Sequence, residues 1–300
     1  MMQPIVIAVS SSALFDTKEE ELFFESNGVD AYKKYCIEHA NVPFEKGSAY
    51  PLIKKLLHLN EVSDGERPVV EVVILSRNSA QTGERVIFSI AEYDLDVKQA
   101  IFTDGHNPRR FCRSFGVSLF LSSNLSDVQK SVAEGIPAGY VVGDTSGSED
   151  GGLLVALDFD GIVIDDESEQ VYKSSGLEEF TAHEKAKSNE MHNPGPLFDL
   201  LSKLAVLRAL DIKATSNDKH RRALKLALVT ARSIAAHKRV LTTLRGYGVE
   251  FDITAFMAGE KKHKVLNEMK PDVFFDDQIG HLTGAQDVAM VHIPYGVANK

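Results

Sequence analysis

The chain has 300 residues and a formal net charge of −10, from 33 Lys and Arg against 43 Asp and Glu. That surplus argues against nonspecific binding to nucleic acid or an anionic membrane surface. At 43% hydrophobic and 25% charged residues, with no apolar run near the ~18 residues of a membrane span, it reads as a folded protein long enough for two domains.

The N-terminus lacks a basic leader and enters a strand pattern at once. Cys36 and Cys112 are too few for a disulfide framework or a thiolate zinc site, so reduced thiols and a cytoplasmic location are expected. Short apolar runs alternate with helical patterns throughout, predicting an α/β fold of mostly parallel strands. Residues 143–152, a Gly, Ser, Asp and Glu run with nothing to bury, read as a linker between domains at 1–142 and 153–300. Beyond it, Leu153 to Leu157 is a strand candidate. Leu197, Leu200, Leu201, Leu204 and Leu207 form one helical stripe. Asp211 to Arg222 reads as an exposed loop or frayed helix end. Leu226 to Val229 is a strand, Ser233 to Tyr247 a helix, and Val273 to Phe275 a strand that runs into Asp276-Asp277.

The two halves repeat. Ile7-Ala-Val-Ser-Ser-Ser-Ala-Leu-Phe15 lies on Val155-Ala-Leu-Asp-Phe-Asp-Gly-Ile-Val163 at an offset of 148, which also superposes Gly28 on Gly176 and Gly47 on Gly195. At an offset of 154, Ile74 to Ser79 falls on Leu228 to Ser233, Gly105 on Gly259, and Leu119 to Asn124 on Val273 to Gln278. Where the second half has Asp158, Asp160, Asp276, Asp277 and Lys262, the first has Ser10, Ser12, Ser122, Ser123 and Pro108. The first half keeps the framework without the charges.

Two acid pairs at the ends of apolar strands, Asp158/Asp160 and Asp276/Asp277, form the oxygen-rich set that Mg²⁺ prefers. Singly, each piece is ordinary: Asp-x-Asp-Gly is also a turn, Thr230 a helix cap, and Lys262 part of a solvated basic run. The order strand–Asp-x-Asp, strand–Thr, Lys, strand–Asp-Asp resembles the four-motif series of the haloacid-dehalogenase-like phosphohydrolases. The longer stretches Asp158 to Glu169, His183-Glu-Lys-Ala186, Val229-Thr-Ala-Arg-Ser233, Thr243-Leu-Arg245, Phe274 to Gln278, Gly284-Ala-Gln286 and His292 to Val297 are similar to the type I cytosolic 5′-nucleotidases. Ile7 to Phe15 and Tyr93-Asp-Leu95 extend that likeness into the first half. The chain departs from the family pattern in Asp158-Phe-Asp160-Gly161, where the family has glycine between the acids and a different small residue after them, and in the charged loop 211–222.

The resemblance implies two tandem Rossmann-like domains with parallel sheets, the first non-catalytic, the second carrying a small helical cap inserted at about 165–222. It implies Mg²⁺-dependent hydrolysis of nucleoside 5′-monophosphates, AMP foremost. Asp158 would be the nucleophile, Asp160 the general acid and base, Thr230 and Lys262 the phosphoryl-binding and charge-offsetting groups. Asp158, Asp276 and the Asp160 carbonyl would hold the metal, with Asp277 binding or orienting a metal water. Arg232, Ser233, His183, Lys185 and Phe180 are the substrate-binding candidates, with Tyr172 as a second aromatic; Phe180 also reads as core. The rivals are a phosphatase of another small phosphomonoester and a nucleotide sensor; a carbon–halogen hydrolase needs neither Asp160 nor the Asp276-Asp277 pair. A nucleotide effector in the first half and a homo-oligomer remain open.

Overall fold

In the computed structural model, residues 3–62, 67–142, 151–216, 218, 222–285 and 288–299 are described. Residues 143–150 of the expected linker, Gln286 of one family stretch and part of the 211–222 loop lie outside them. The strands are β1 Ile5–Val9, β2 Val70–Ser76, β3 Gln99–Phe102, β4 Leu119–Ser122, β5 Ala138–Val142, β6 Leu153–Leu157, β7 Leu224–Thr230, β8 Ile253–Phe256, β9 Val273–Asp276 and β10 Ala289–His292. The helices are α1 Ser11–Leu14, α2 Lys18–Glu38, α3 Tyr50–His58, α4 Glu84–Glu92, α5 Phe111–Ser114, α6 Leu125–Ala133, α7 Glu167–Ala186, α8 Phe198–Ala214, α9 His237–Tyr247 and α10 His263–Met269.

The strands form one sheet in the order β3-β2-β1-β4-β5-β10-β9-β6-β7-β8. Each half contributes the same order, first strand in the middle and second and third to one side. Every pairing is parallel except β5 with β10, where the edge strands of the halves meet antiparallel. One shared sheet therefore replaces the separate sheet expected for each half. Joining the edges covers the unpaired backbone groups that each half would otherwise expose.

Continuously apolar β1 and β6 are buried because helices cover both faces of a parallel sheet. Alternation sorts the side chains: Ile5, Ile7 and Val9 face a core layer that runs across both halves, whereas Val6 and Ala8 face a separate one. The leucine stripe of α8 (Leu200, Leu201, Leu204, Leu207) lies in that shared layer, each residue contributing about 1.5–3 kcal/mol by burial. This corrects the expected cap at 165–222. Residues 198–214 belong to the core, and the helix left standing over the strand ends is α7. Asp211 is also not exposed: it lies buried in the last turn of α8, accepting a hydrogen bond from the Leu224 amide at 3.1 Å. The halves are pinned by Lys55, whose Nζ lies 2.6 Å from Asp272 Oδ1 while Asp272 Oδ2 accepts from the Leu154 amide.

The repeat extends to individual hydrogen bonds. Ser10 N donates to Leu121 O and Asp158 N to Phe275 O, both at 2.9 Å. Gly28 at φ +77° and Gly176 at φ +89° break α2 and α7 at matching points. In one place the register slips. The first half turns through four residues, Ser11–Leu14, and the second through five, Phe159–Val163. Phe15 N accordingly bonds Ser11 O, whereas Ile164 N bonds Phe159 O. Asp160 still matches Ser12, but Phe15 matches Ile164 rather than Val163, and Gly161 is the extra residue.

Candidate active site

Strands β7, β6 and β9 are neighbours, and their C-terminal ends carry Thr230, Asp158 and Asp276. Carboxyl ends of parallel strands are where open α/β sheets place ligands, because the chain turns away there and frees backbone and side-chain groups. Asp158 follows β6 and is fixed by accepting from the Phe159 amide at 2.7 Å. Asp276 ends β9, its Oδ1 accepting from the Gln278 amide at 2.8 Å. Between them lies Lys262, just before α10, with Nζ 2.8 Å from Asp158 Oδ1 and 2.7 Å from Asp276 Oδ2. All three side chains are buried. Thr230 is buried too, its Oγ1 accepting from the Arg232 amide.

One ammonium does not balance this cluster. Burial pushes Asp158 up to about 7 against the pull of Lys262, with Asp276 and Asp160 adding to the rise. Burial would also raise Asp276, but Lys262 and His281 hold it below the usual carboxylate range. Asp277 is pushed up to about 10, by burial first and then by Asp158, Asp276 and Glu169. Its Oδ1 is buried with no hydrogen-bond partner among the described residues. Such an orphaned acid in a cluster of carboxylates fits a site completed by a hard divalent cation. Asp158, Asp276 and His281 present donor atoms within 4.8 Å of one another. Gly161, beside them at φ +70°, has no room for a side chain: a Cβ there would lie 2.5 Å from Asp277 Oδ2.

The Asp160 carboxylate faces elsewhere. Arg232 grips it with both arms of the guanidinium, Nε to Oδ2 at 2.8 Å and Nη2 to Oδ1 at 2.7 Å. Arg232 Nη1 donates in turn to Glu184 on α7. Glu184 also receives Ser168 Oγ at 2.8 Å and Arg239 Nη1 at 2.8 Å, and His192 Nε2 lies 3.4 Å from it. The guanidinium is sandwiched between the Phe159 and Phe180 rings, 5.0 and 5.3 Å from their centroids.

The other substrate-binding candidates are spread out. Arg232 is spent on Asp160 and Glu184, and Ser233 sits half-buried before a short helical turn. His183 Nε2 is 3.2 Å from Glu167, and Lys185 is exposed. Tyr172 is exposed and edge-on to Phe180, their centroids 6.1 Å apart. Sequence reading gave Glu184 no role beyond its place in His183-Glu-Lys-Ala186 and missed His192, Arg239 and His281. For Glu184 and His192 the repeat held the signal, since the aligned first-half residues are Cys36 and Phe44.

No helix among the described residues is long and apolar enough to cross a membrane. The pattern that defines the 5′-nucleotidase family matches residues 1–300. Human cytosolic 5′-nucleotidase 1B is 31% identical over 303 residues, covering 99% of this chain and 49% of the human protein. The chain therefore spans about half the length of this curated relative. No solved structure gave a significant match. With strand-end acids in place and a family pattern matched from end to end, the chain belongs to the 5′-nucleotidase family.

Proposed function

We propose that this chain is a divalent-metal-dependent 5′-nucleotidase of the cytoplasm that hydrolyses nucleoside 5′-monophosphates, AMP foremost, through a phosphorylated Asp158. The observation that carries the reading is Lys262 Nζ set between Asp158 and Asp276 beside Asp277, whose buried Oδ1 has no hydrogen-bond partner among the described residues. The Asp158 carboxylate attacks phosphorus, forming an acyl phosphate as the bond to the ribose 5′-oxygen breaks. Asp160 delivers the proton that the leaving alkoxide needs. Water then attacks the same phosphorus, Asp160 takes its proton, and phosphate leaves with Asp158 restored.

Lys262 offsets charge on the nucleophile and the transferring group, and Thr230 steadies that group at the end of β7. Asp158, Asp276 and Asp277, with His281 in reach, would hold the metal; when bound, it supplies the positive field that a loose phosphoryl transition state requires. The halves are read as two tandem haloacid-dehalogenase-like domains. Only the second is catalytic, since Ser10, Ser12, Ser122 and Ser123 in the first offer no carboxylate.

The test is phosphate release from a panel of AMP, IMP, deoxynucleotides and sugar phosphates, with and without Mg²⁺. Fastest release from AMP, abolished by metal removal, is expected. Preference for a sugar phosphate would move the chain to a different phosphomonoester, and no release from any of them would overturn the reading.

A further inference from the structure

The two halves give an internal comparison between one framework with catalytic acids and the same framework without them. Around α4 and α9 the framework is retained. Arg85 and Arg239 occupy matching places, with Nε donating to Val42 O and Glu190 O. Ser89 Oγ accepts from Phe44 N as Thr243 Oγ1 accepts from His192 N. Tyr93 OH donates to Phe44 O as Tyr247 OH donates to His192 O. Inside this conserved shell three residues change together with the acids: Glu184, His192 and Arg232 of the second half stand where the first has Cys36, Phe44 and Asn78. A buried charged group without partners is costly, so a retained set must be complete or absent. Here it is complete where Asp160 is present and absent where Ser12 replaces it.

The geometry says what the set acts on. Arg232 ends on both oxygens of Asp160, and a forked pair of this kind fixes the plane of the carboxylate as well as its position. Glu184 and His192 close the far side of the guanidinium, with His192 Nε2 3.3 Å from Nη2. Phe159, the residue that departs from the family pattern, supplies one face of the sandwich and meets the His192 ring edge-on. Glu184 also carries the attachment of α7, whose buried side chains are Ser168 and Glu184 and include none that is apolar.

We propose that Arg232, held by Glu184 and His192, is a positioning relay that orients Asp160 for proton transfer and ties that orientation to the seating of α7. The inference rests on Asp160 being the acid and base of the proposed reaction. It assigns Arg232 to Asp160 rather than to the substrate phosphate.

The test uses leaving groups. A nucleoside 5′-monophosphate expels an alkoxide that must be protonated; 4-nitrophenyl phosphate expels a phenolate that needs little help. Values of kcat/KM cover steps up to departure of the leaving group and exclude hydrolysis of the acyl phosphate. The variants are Glu184→Gln, Arg232→Lys, and the triple change Glu184→Cys, His192→Phe, Arg232→Asn, a set whose counterpart the first half accommodates. Retained aryl phosphatase activity reports that each variant is folded. We expect kcat/KM for the nucleotide to fall on the order of 10²-fold and that for the aryl ester to change by no more than a few-fold. Equal losses on both substrates, a KM rise on both, or no loss on either would overturn the relay. Asp160→Asn is the reference. If it shows the selective loss and the relay variants do not, the relay alone fails; if it spares the nucleotide, the acid–base reading of Asp160 fails.

Discussion

Replacing Lys262 by Met removes the one ammonium in the acid cluster while keeping most of the volume of its stem. A volume-conserving change of this kind costs under about 1.5 kcal/mol through packing, so the electrostatic loss should dominate. The Nζ lies 2.8 Å from Asp158 and 2.7 Å from Asp276 in a buried site, and stripping one partner from a buried ion pair costs about 3–5 kcal/mol. The variant can relieve that loss by taking up a proton. Holding a carboxyl of ordinary value 3.8 neutral costs about 1.4 kcal/mol per pH unit above it, hence about 5 kcal/mol at pH 7.5 and about 2 at pH 5.5. The sign follows from proton counts: the folded variant binds a proton that the unfolded chain has released above pH 3.8, so its stability falls as pH rises. The wild type avoids this at Asp276, which Lys262 and His281 hold below its ordinary value despite burial. Urea unfolding in metal-free buffer should show Lys262→Met less stable by about 3–5 kcal/mol at pH 7.5 and by about 2 kcal/mol at pH 5.5. A deficit under about 1 kcal/mol at pH 7.5, or one that does not shrink at pH 5.5, would refute the reasoning.

Asp158→Asn should abolish phosphate release in protein that still unfolds cooperatively, because an amide is no nucleophile here; near-normal turnover by protein free of contaminating phosphatase would sink the assignment. Chelation should remove activity and Mg²⁺ or Mn²⁺ restore it, so full turnover in excess EDTA would exclude a metal role for Asp276 and Asp277. Gly161→Ala should lose about 1–2 kcal/mol from the left-handed backbone alone. Its Cβ, 2.5 Å from Asp277 Oδ2, should also raise the metal concentration for half-maximal activity, and an unchanged metal titration would show that Asp277 is no part of that site. Ser10→Ala combined with Ser122→Ala should leave the basal rate within a few-fold; its loss in a folded double variant would bring the first half into the chemistry.

What was legible in the sequence was whatever periodicity or strand endings write into it. The β6, β7 and β9 runs, the Asp158, Thr230 and Asp276 that close them and the α8 stripe all stand where apolar patterning puts them. Patterning fails on α7, which buries no apolar side chain, so no stripe shows which face meets the protein. His183 and Lys185 therefore read as site residues, whereas the intervening Glu184, turned about 100° from each, is the one held against Arg232. Charge misled at the two ends of 211–222 for a related reason. Arg208 and Arg222 converge on Asp252, and Asp211 takes the Leu224 amide, so the two charges that bound the run are buried through pairing that no composition window detects, while Lys213, Ser216 and Asp218 between them are exposed as expected. The β5–β10 junction is equally silent, since which edge strands meet is decided by the packing of two halves.

The residues that matched across the halves and those that did not carry different information. Matching residues, such as Arg85 with Arg239 and Tyr93 with Tyr247, hold the same backbone carbonyls in both halves and therefore belong to the fold. Residues that change from neutral to charged as a block belong to what only one half does. That rule recovers Asp158, Asp160, Lys262, Asp276 and Asp277 from the motifs, and by the same logic it adds Glu184 to the site and moves Arg232 from the substrate to Asp160, with His192 changing beside them. The charges come as a block because each is buried and satisfied by another: Lys262 by two acids, Arg232 by Asp160 and Glu184. Loss of any one leaves its partners unpaired in a low-dielectric interior, so a half that sheds the acids must shed their counterions or pair them afresh, as Arg85, the counterpart of Arg239, does with Glu20.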